Sequence, residues 1–217
     1  MDEILPGLWR WTGRHPEWHP GEFGAEVASY AARTDAGTVL VDPQTLDDGQ
    51  REALDGVVQG TVHIAITVPY HVRSSEELAQ RYKATIHGHE LCAKRLSSRG
   101  SFQVAGPGDE LPGGVVFHPI GKPRRSEMPV ELRSHKGLVF GDAVCETGGG
   151  SVRVWDSPLD SENRKKWWYD RYLPTLQALL ELDFEHVLVT HGRPVLKTGK
   201  QAYAKALEQP PWSRPPA

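Results

Sequence analysis

The stretch from Ile64 to Leu78 constrains this chain more than any other. Ile64, Ala65, Ile66, Thr67 and Val68 form an apolar, largely β-branched run, which reads as a buried strand. Ser74 and Glu77 then have the spacing of a capping box, with Leu78 and Ala79 opening an apolar helix face. The short loop between them carries Tyr70, His71 and Arg73, all capable of chemistry. A loop held by a strand on one side and a helix on the other is a common place for a functional site. The same loop also reads as a plain polar connection with one stray histidine.

The flanking sequence supplies more strands. Leu8 to Trp11 alternates, and Pro16, Pro20, Gly21 and Gly24 then break any regular element. Ala25–Arg33 and Gly37–Val41 read as a hairpin turning at Asp35-Ala36-Gly37. Thr38 to Val41 is continuously apolar and ends at Asp42-Pro43, the pattern of a central buried strand. Gln50 to Val58 has helical spacing, with Gly60 placed to stop it. Lys83–His87, Ser101–Ala105, Gly114–Ile120, Val130–Arg133, Gly137–Phe140, Val152–Trp155 and Val187–Val189 read as further strands. A helix is expected from about Glu90 to Leu96, and Ser161–Leu182 is helical in composition, with Pro174 expected to kink or divide it. A last helix is expected over Gly199–Leu207, before a loose Pro-rich tail at 209–217. Strands followed by helices in two similar halves suit two sheets packed face to face with helices outside.

Bulk properties narrow the function classes. The 217 residues fit one domain, 1–217, with a core large enough to need no staples. A formal charge of −3 argues against a dedicated nucleic-acid surface. Cys92 and Cys145 have no CxxC spacing, so they read as free buried thiols rather than a zinc ribbon or a disulfide. No apolar run approaches the length of a membrane span and no basic-then-apolar leader is visible, so a soluble cytoplasmic protein without a membrane partner is expected.

Several fragments, in order, resemble the metallo-β-lactamase superfamily. These are Leu5-Pro6-Gly7-Leu8-Trp9, Val39-Leu40-Val41-Asp42, Phe140-Gly141-Asp142 and the run from Val187 through Thr190-His191-Gly192 to Val195. The similarity covers nearly the whole chain and implies an α+β fold, a four-layer αββα sandwich. It also implies two metal ions, commonly zinc, held by an HxHxDH loop motif, a later His, an Asp and a last His; metals so placed activate water and polarise the bond to be cut.

The chain departs from that ligand set. Anchored on Thr67, the motif positions fall at Val68, Tyr70, Val72 and Arg73, and the later His falls at Lys122. Only Asp142 and His191 match. Val offers no lone pair, and Arg and Lys bring charge that repels a cation. No metal is therefore expected. The alternative is a single zinc, iron or manganese held by His71, Asp142 and His191, a two-His, one-carboxylate set. Against it, His71 is one residue out of phase, and neighbours on an extended segment point opposite ways. His87 and His89 read as surface or packing residues.

The substitutions suggest a charge replacement, with Arg73 and Lys122 pairing with Asp142 in place of metals. The plain version is a salt bridge in a vacated site. The functional version adds a small anionic molecule held by Arg73, Lys122 and Arg124, with Tyr70 and His71 as hydrogen-bond partners. His191, with Asp142 and His71, is the candidate acid–base group. Trp9, Trp11 and Trp18 are expected over the site mouth, and Trp167-Trp168-Tyr169 in the core. The reading is a metallo-β-lactamase-like binder or pseudoenzyme with a degenerate site. A one-metal hydrolase and an inert-cleft interaction protein whose Trp-rich N-terminal segment makes the contact are the alternatives.

Overall fold

Two sheets organise the chain. In the computed structural model all residues are described except 16, 17, 19–23, 45, 46, 99, 122–125 and 214–217. The first sheet runs in sequence order, β1 (Asp2–Leu5), β2 (Leu8–Arg14), β3 (Glu26–Thr34), β4 (Gly37–Val41), β5 (Thr61–Ile66), β6 (Thr85–Gly88) and β7 (Phe102–Val104). It is antiparallel as far as β4 and parallel from β4 onward. The second sheet contains β8 (Glu110–Leu111), β9 (Val115–Phe117), β10 (Val130–Leu132), β11 (Gly137–Phe140) and β14 (His186–Val189), in the order β14-β11-β10-β9-β8. Only its β11–β14 pair is parallel. A small ribbon, β12 (Val144–Glu146) with β13 (Val152–Val154), follows β11.

Alternation along the strands gives each sheet two apolar faces, so helices must cover the outer ones. Ala28, Tyr30, Val41, Phe117, Val130 and Leu188 pack between the sheets. Outside the first sheet, Leu40, Ile64, Ile66 and Ile86 bury Leu54 of α1 (Asp48–Val57) and Leu78 of α2 (Ser75–Tyr82). Outside the second, Leu138, Phe140 and Val187 meet Trp167 of α3 (Glu162–Trp167), Trp168 and Tyr172 of the turn that follows it, Leu176 of α4 (Leu173–Ala178) and Tyr203 of α5 (Gly199–Leu207). The result is the αββα sandwich.

Local departures from expectation have physical causes. Ser74 sits at the N-cap of α2 without a side-chain capping bond, and the true capping box lies at α1, where Asp47 and Gln50 exchange side-chain and backbone bonds. The helical stretch over Ser161–Leu182, with Pro174 expected to kink or divide it, is divided into α3, a π-helical turn at Trp168–Tyr172, α4 and a 3₁₀ turn. Pro174 lacks an N–H and stands in the first turn of α4, directly after the wide turn that divides the stretch. Glu90–Lys94 is a 3₁₀ turn rather than an α-helix.

Trp9 and Trp11 are buried in the outer core of the first sheet, so they do not cover a site mouth. Trp167 and Trp168 are buried as expected, whereas Tyr169 is exposed. The tail is not loose as far as Ser213. Trp212 donates to Val154 O at 2.8 Å, and Pro210 O accepts from Arg153 at 3.0 Å. Cys92 and Cys145 are buried thiols that form no disulfide with each other. Among the described residues, no helix is long and apolar enough to cross a membrane.

Candidate functional site

Two parallel strand pairs, β4–β5 in the first sheet and β11–β14 in the second, deliver side chains to one end of the sandwich. Asp42 directly follows β4, Thr67 and then His71 follow β5, Gly141-Asp142 follows β11 and Thr190-His191 follows β14. Carboxyl ends of parallel strands are where open sheets of this kind gather ligand-binding residues. Cross-sheet bonds clamp that end, with Ala28 N donating to Thr190 O at 2.8 Å and Tyr30 Oη donating to Val189 O at 2.7 Å.

Asp42 is the buried anchor. It adopts a left-handed backbone, φ 47°, which aims its carboxylate along the strand end. Thr67 N donates to Oδ1 at 2.8 Å, and Thr67 Oγ1 donates to Oδ2 at 2.5 Å. His71 Nδ1 lies 2.8 Å from the same Oδ2, which makes Nδ1 the protonated nitrogen. His71 Nε2 then faces Asp142 Oδ1 at 3.2 Å, and His191 Nε2 approaches that oxygen at 3.5 Å. The chain Asp42–His71–Asp142–His191 is continuous. Asp142 Oδ1 is shielded from solvent, yet it accepts no well-aligned hydrogen bond from the described residues.

The expectation that His71 points away from the site is overturned. Pro69 starts a 3₁₀ turn over Pro69–Val72, so the alternation of an extended segment does not apply, and His71 turns inward. Its charge is favoured there. Burial and the Arg73 guanidinium oppose protonation, but Asp142 and Asp42 outweigh them and hold its pKa above the ordinary histidine value. For Asp142, burial works against the charge, but His71 and His191 hold its carboxyl well below the usual carboxylate range.

Arg73 takes a different place from the one expected. It has φ 40°, and its Nη1 donates to Asp42 O at 3.1 Å and reaches Ala28 O at 3.5 Å. Its Nε and Nη2 are shielded from solvent and have no hydrogen-bond partner among the described residues. Asp142 is therefore faced by two imidazoles rather than by a hydrogen-bonded guanidinium. Burial lowers the Arg73 pKa, with Asp42 and Asp142 acting in the opposite direction. Lys122 and Arg124 lie outside the described residues.

Asp142 opens into a cleft of about 540 Å³ walled by Val68, Tyr70, Trp155 and Trp167, with Asp156 and Arg164 at one side. Arg73 does not line it. Arg164 donates to Asp156 at 2.9 Å. Glu127, also on the wall, fixes the turn that presents Asp142, because its carboxylate accepts from Gly141 N at 3.0 Å and Ala143 N at 2.9 Å. His15 approaches from the N-terminal side, its ring 6.2 Å from that of His71 in an edge arrangement.

Sequence reasoning missed Asp42, Glu127 and His15 as site residues. An acid closing a buried strand was a usable signal for Asp42, whereas nothing local marks the other two. His87 bonds His63 at 3.1 Å across neighbouring strands, and His89 caps the turn after it by accepting from Leu91 N.

The donor set does not fit a pair of metals. Val68 and Val72 offer no donor atom, Tyr70 stands largely exposed, and Arg73 brings a positive charge to the site. Among the described residues, no group of three or more His, Cys, Asp or Glu side chains is placed to hold a metal ion.

No protein-family model matches the chain, and no curated protein sequence matches it. Solved structures do. An archaeal metallo-β-lactamase superfamily protein from Sulfolobus tokodaii is 19% identical, with TM-score 0.66 over 94% of this chain and 85% of that one. A metallo-β-lactamase from Pontibacter korlensis is also 19% identical, with TM-score 0.62 over 96% and 98%. A chemotaxis sensor solved as a peroxy diiron species is 15% identical, with TM-score 0.62 over 86% and 88%. At these identities the likeness establishes the metallo-β-lactamase fold.

Proposed function

We propose that this chain uses the cleft of a metallo-β-lactamase fold to bind a small anionic molecule without a metal ion, as a binding module or pseudoenzyme. One observation carries the reading: both ring nitrogens of His71 are engaged by carboxylates, Nδ1 by Asp42 and Nε2 by Asp142. A protonated imidazole between two carboxylates supplies from the chain itself the positive charge that a cation would otherwise provide. Arg73 adds a second fixed charge beside Asp42.

The cleft carboxylates are compensated locally, Glu127 by backbone amides, Asp156 by Arg164 and Asp142 by the two imidazoles. Trp155, Trp167 and Tyr70 offer flat apolar walls to the body of a ligand. The basic run Lys122-Pro123-Arg124-Arg125 immediately precedes Ser126 on the cleft wall, which supports the anionic character of the ligand.

A second reading, a one-metal hydrolase, has one observation in its favour. His71 Nε2 and His191 Nε2 both approach a single oxygen of Asp142, and Asp42 orients His71 through Nδ1 as carboxylates commonly orient metal-binding histidines. On this reading His71, Asp142 and His191, which are not spaced around an ion as they stand, would move apart to hold one, and the ion would supply an activated water.

Elemental analysis of untagged protein, grown with zinc, iron and manganese supplied, separates the two. Metal far below one per chain supports the metal-independent reading. Close to one per chain, lost in His191→Ala, overturns it in favour of the hydrolase. A thermal-shift screen of small carboxylates and phosphates is expected to find a stabilising anion, and failure of all of them would point instead to an inert cleft.

A further inference from the structure

We infer that the anionic group of the ligand is seated not beside Arg73 but in a second pocket beyond Tyr70, formed by Lys94 and Arg95. The inference rests on the binding role proposed for the main cleft and names where its selectivity lies. The second pocket, about 480 Å³, shares Tyr70 and Ser126 with the main cleft and adds Pro69, Leu91, Lys94 and Arg95. One molecule can therefore occupy both, passing across Tyr70.

Charge divides the two spaces. Among the described residues, the main chamber presents Asp142, Asp156 and Glu127, and the cation on its lining, Arg164, is paired with Asp156. Those carboxylates are balanced by their own neighbours, so the described lining of the chamber offers an anion no net positive charge. Among the described residues, the second pocket is lined by two cations, Lys94 and Arg95, and by no carboxylate. Arg73 lines neither space and spends Nη1 on backbone carbonyls.

Apolar exposure points the same way. Among the described residues, four large hydrophobic side chains stand exposed, Tyr70, Leu91, Val104 and Tyr169, and two of them line this pocket. The Arg95 guanidinium lies 4.3 Å from the centre of the Tyr70 ring, which fixes both the ring and the charge. The ligand class is thus a flat apolar body, lying along Tyr70 toward Trp155 and Trp167, with one carboxylate, phosphate or sulfonate at Lys94 and Arg95.

The test compares two fluorescent probes of the same shape, 8-anilinonaphthalene-1-sulfonate and the uncharged N-phenyl-1-naphthylamine. The expected result is that the folded protein binds the sulfonate more tightly and that this preference fades with added salt. Lys94→Ala with Arg95→Ala should weaken the sulfonate about tenfold, as expected for two lost charge-assisted contacts, while the neutral probe is unaffected. Because Arg95 also supports Tyr70, Lys94→Ala alone serves as the second variant and should weaken the sulfonate only. Unchanged sulfonate binding in the double variant, or equal weakening of both probes, overturns this subsite while leaving the cleft reading intact. Failure of the unaltered protein to bind either probe overturns the cleft reading itself.

Discussion

His71 and Asp42 meet at 2.8 Å with both side chains almost wholly buried, and this contact fixes which histidine nitrogen is left to face Asp142. A buried ion pair stripped of one partner leaves a charge that nothing compensates. His71→Gln should therefore cost about 3 kcal/mol at pH 6, read by urea unfolding. The pH dependence has a definite sign. The folded pKa of His71 lies above its ordinary value of 6.5, so its contribution is complete below 6.5 and disappears as pH rises through the raised value. The stability gap between the unaltered protein and His71→Gln should narrow toward alkaline pH. A gap that widened there would contradict the imidazolium.

Glu127 carries no reacting group, yet Asp142 depends on it. Its two oxygens accept from Gly141 N and Ala143 N, the amides on either side of Asp142. Glu127→Ala leaves buried amides without their acceptor and should destabilise the protein by about 2 kcal/mol. Glu127→Gln retains an acceptor oxygen and should cost less. Chemical denaturation of the two variants distinguishes this anchoring role from simple space filling, which would make them equivalent.

The sheets were legible from strand composition because long-range pairing leaves a local trace in apolar runs such as Thr38–Val41. The site was legible only in part. Asp142 and His191 end strands and keep recognisable neighbours, whereas the direction of His71 depends on a 3₁₀ turn that a period-two argument cannot foresee. The proximity of His63 to His87 follows from strand register, in which Ala65 pairs with His87 and His63 with Thr85. No spacing within either segment encodes it. Ser74 and Glu77 had the pattern of a cap but not its bond, while Asp47 and Gln50 made the bond in a stretch where the sequence argument had only placed apolar spacing.

Gly141 is required by close approach rather than by its φ. A Cβ there would lie 2.6 Å from Thr67 Oγ1, 3.1 Å from Val68 Cγ1 and 3.3 Å from Glu127 Oε1. Thr67 cannot easily yield, since its hydroxyl is bonded to Asp42. Gly141→Ala should cost about 1–3 kcal/mol through overpacking. Combined with Thr67→Ala, the penalties should sum to less than the two single losses, because the second change removes the obstructing hydroxyl. Strict additivity in thermal or chemical unfolding would sink the explanation.

The acid limb of stability should be set partly by the pair on the far side of the first sheet. His63 Nδ1 and His87 Nε2 lie 3.1 Å apart, so one ring donates to the other and at least one must be neutral. Burial, reinforced by His63, brings the His87 pKa down to about 4, and burial also lowers that of His63. A base with a depressed folded pKa takes up its proton more readily when unfolded. Between pH 6.5 and about 4 the unfolded chain therefore binds more protons, and stability falls as the solution is acidified through that window. Replacing the ring by His87→Gln removes the titration. The thermal midpoint of the unaltered protein should then drop further than that of the variant between pH 7 and pH 4. After discounting for the half-open edge, the difference corresponds to about 1 kcal/mol, roughly 2–4 °C in a domain of this size. Parallel midpoint curves across that range would show that the two rings do not couple folding to protonation.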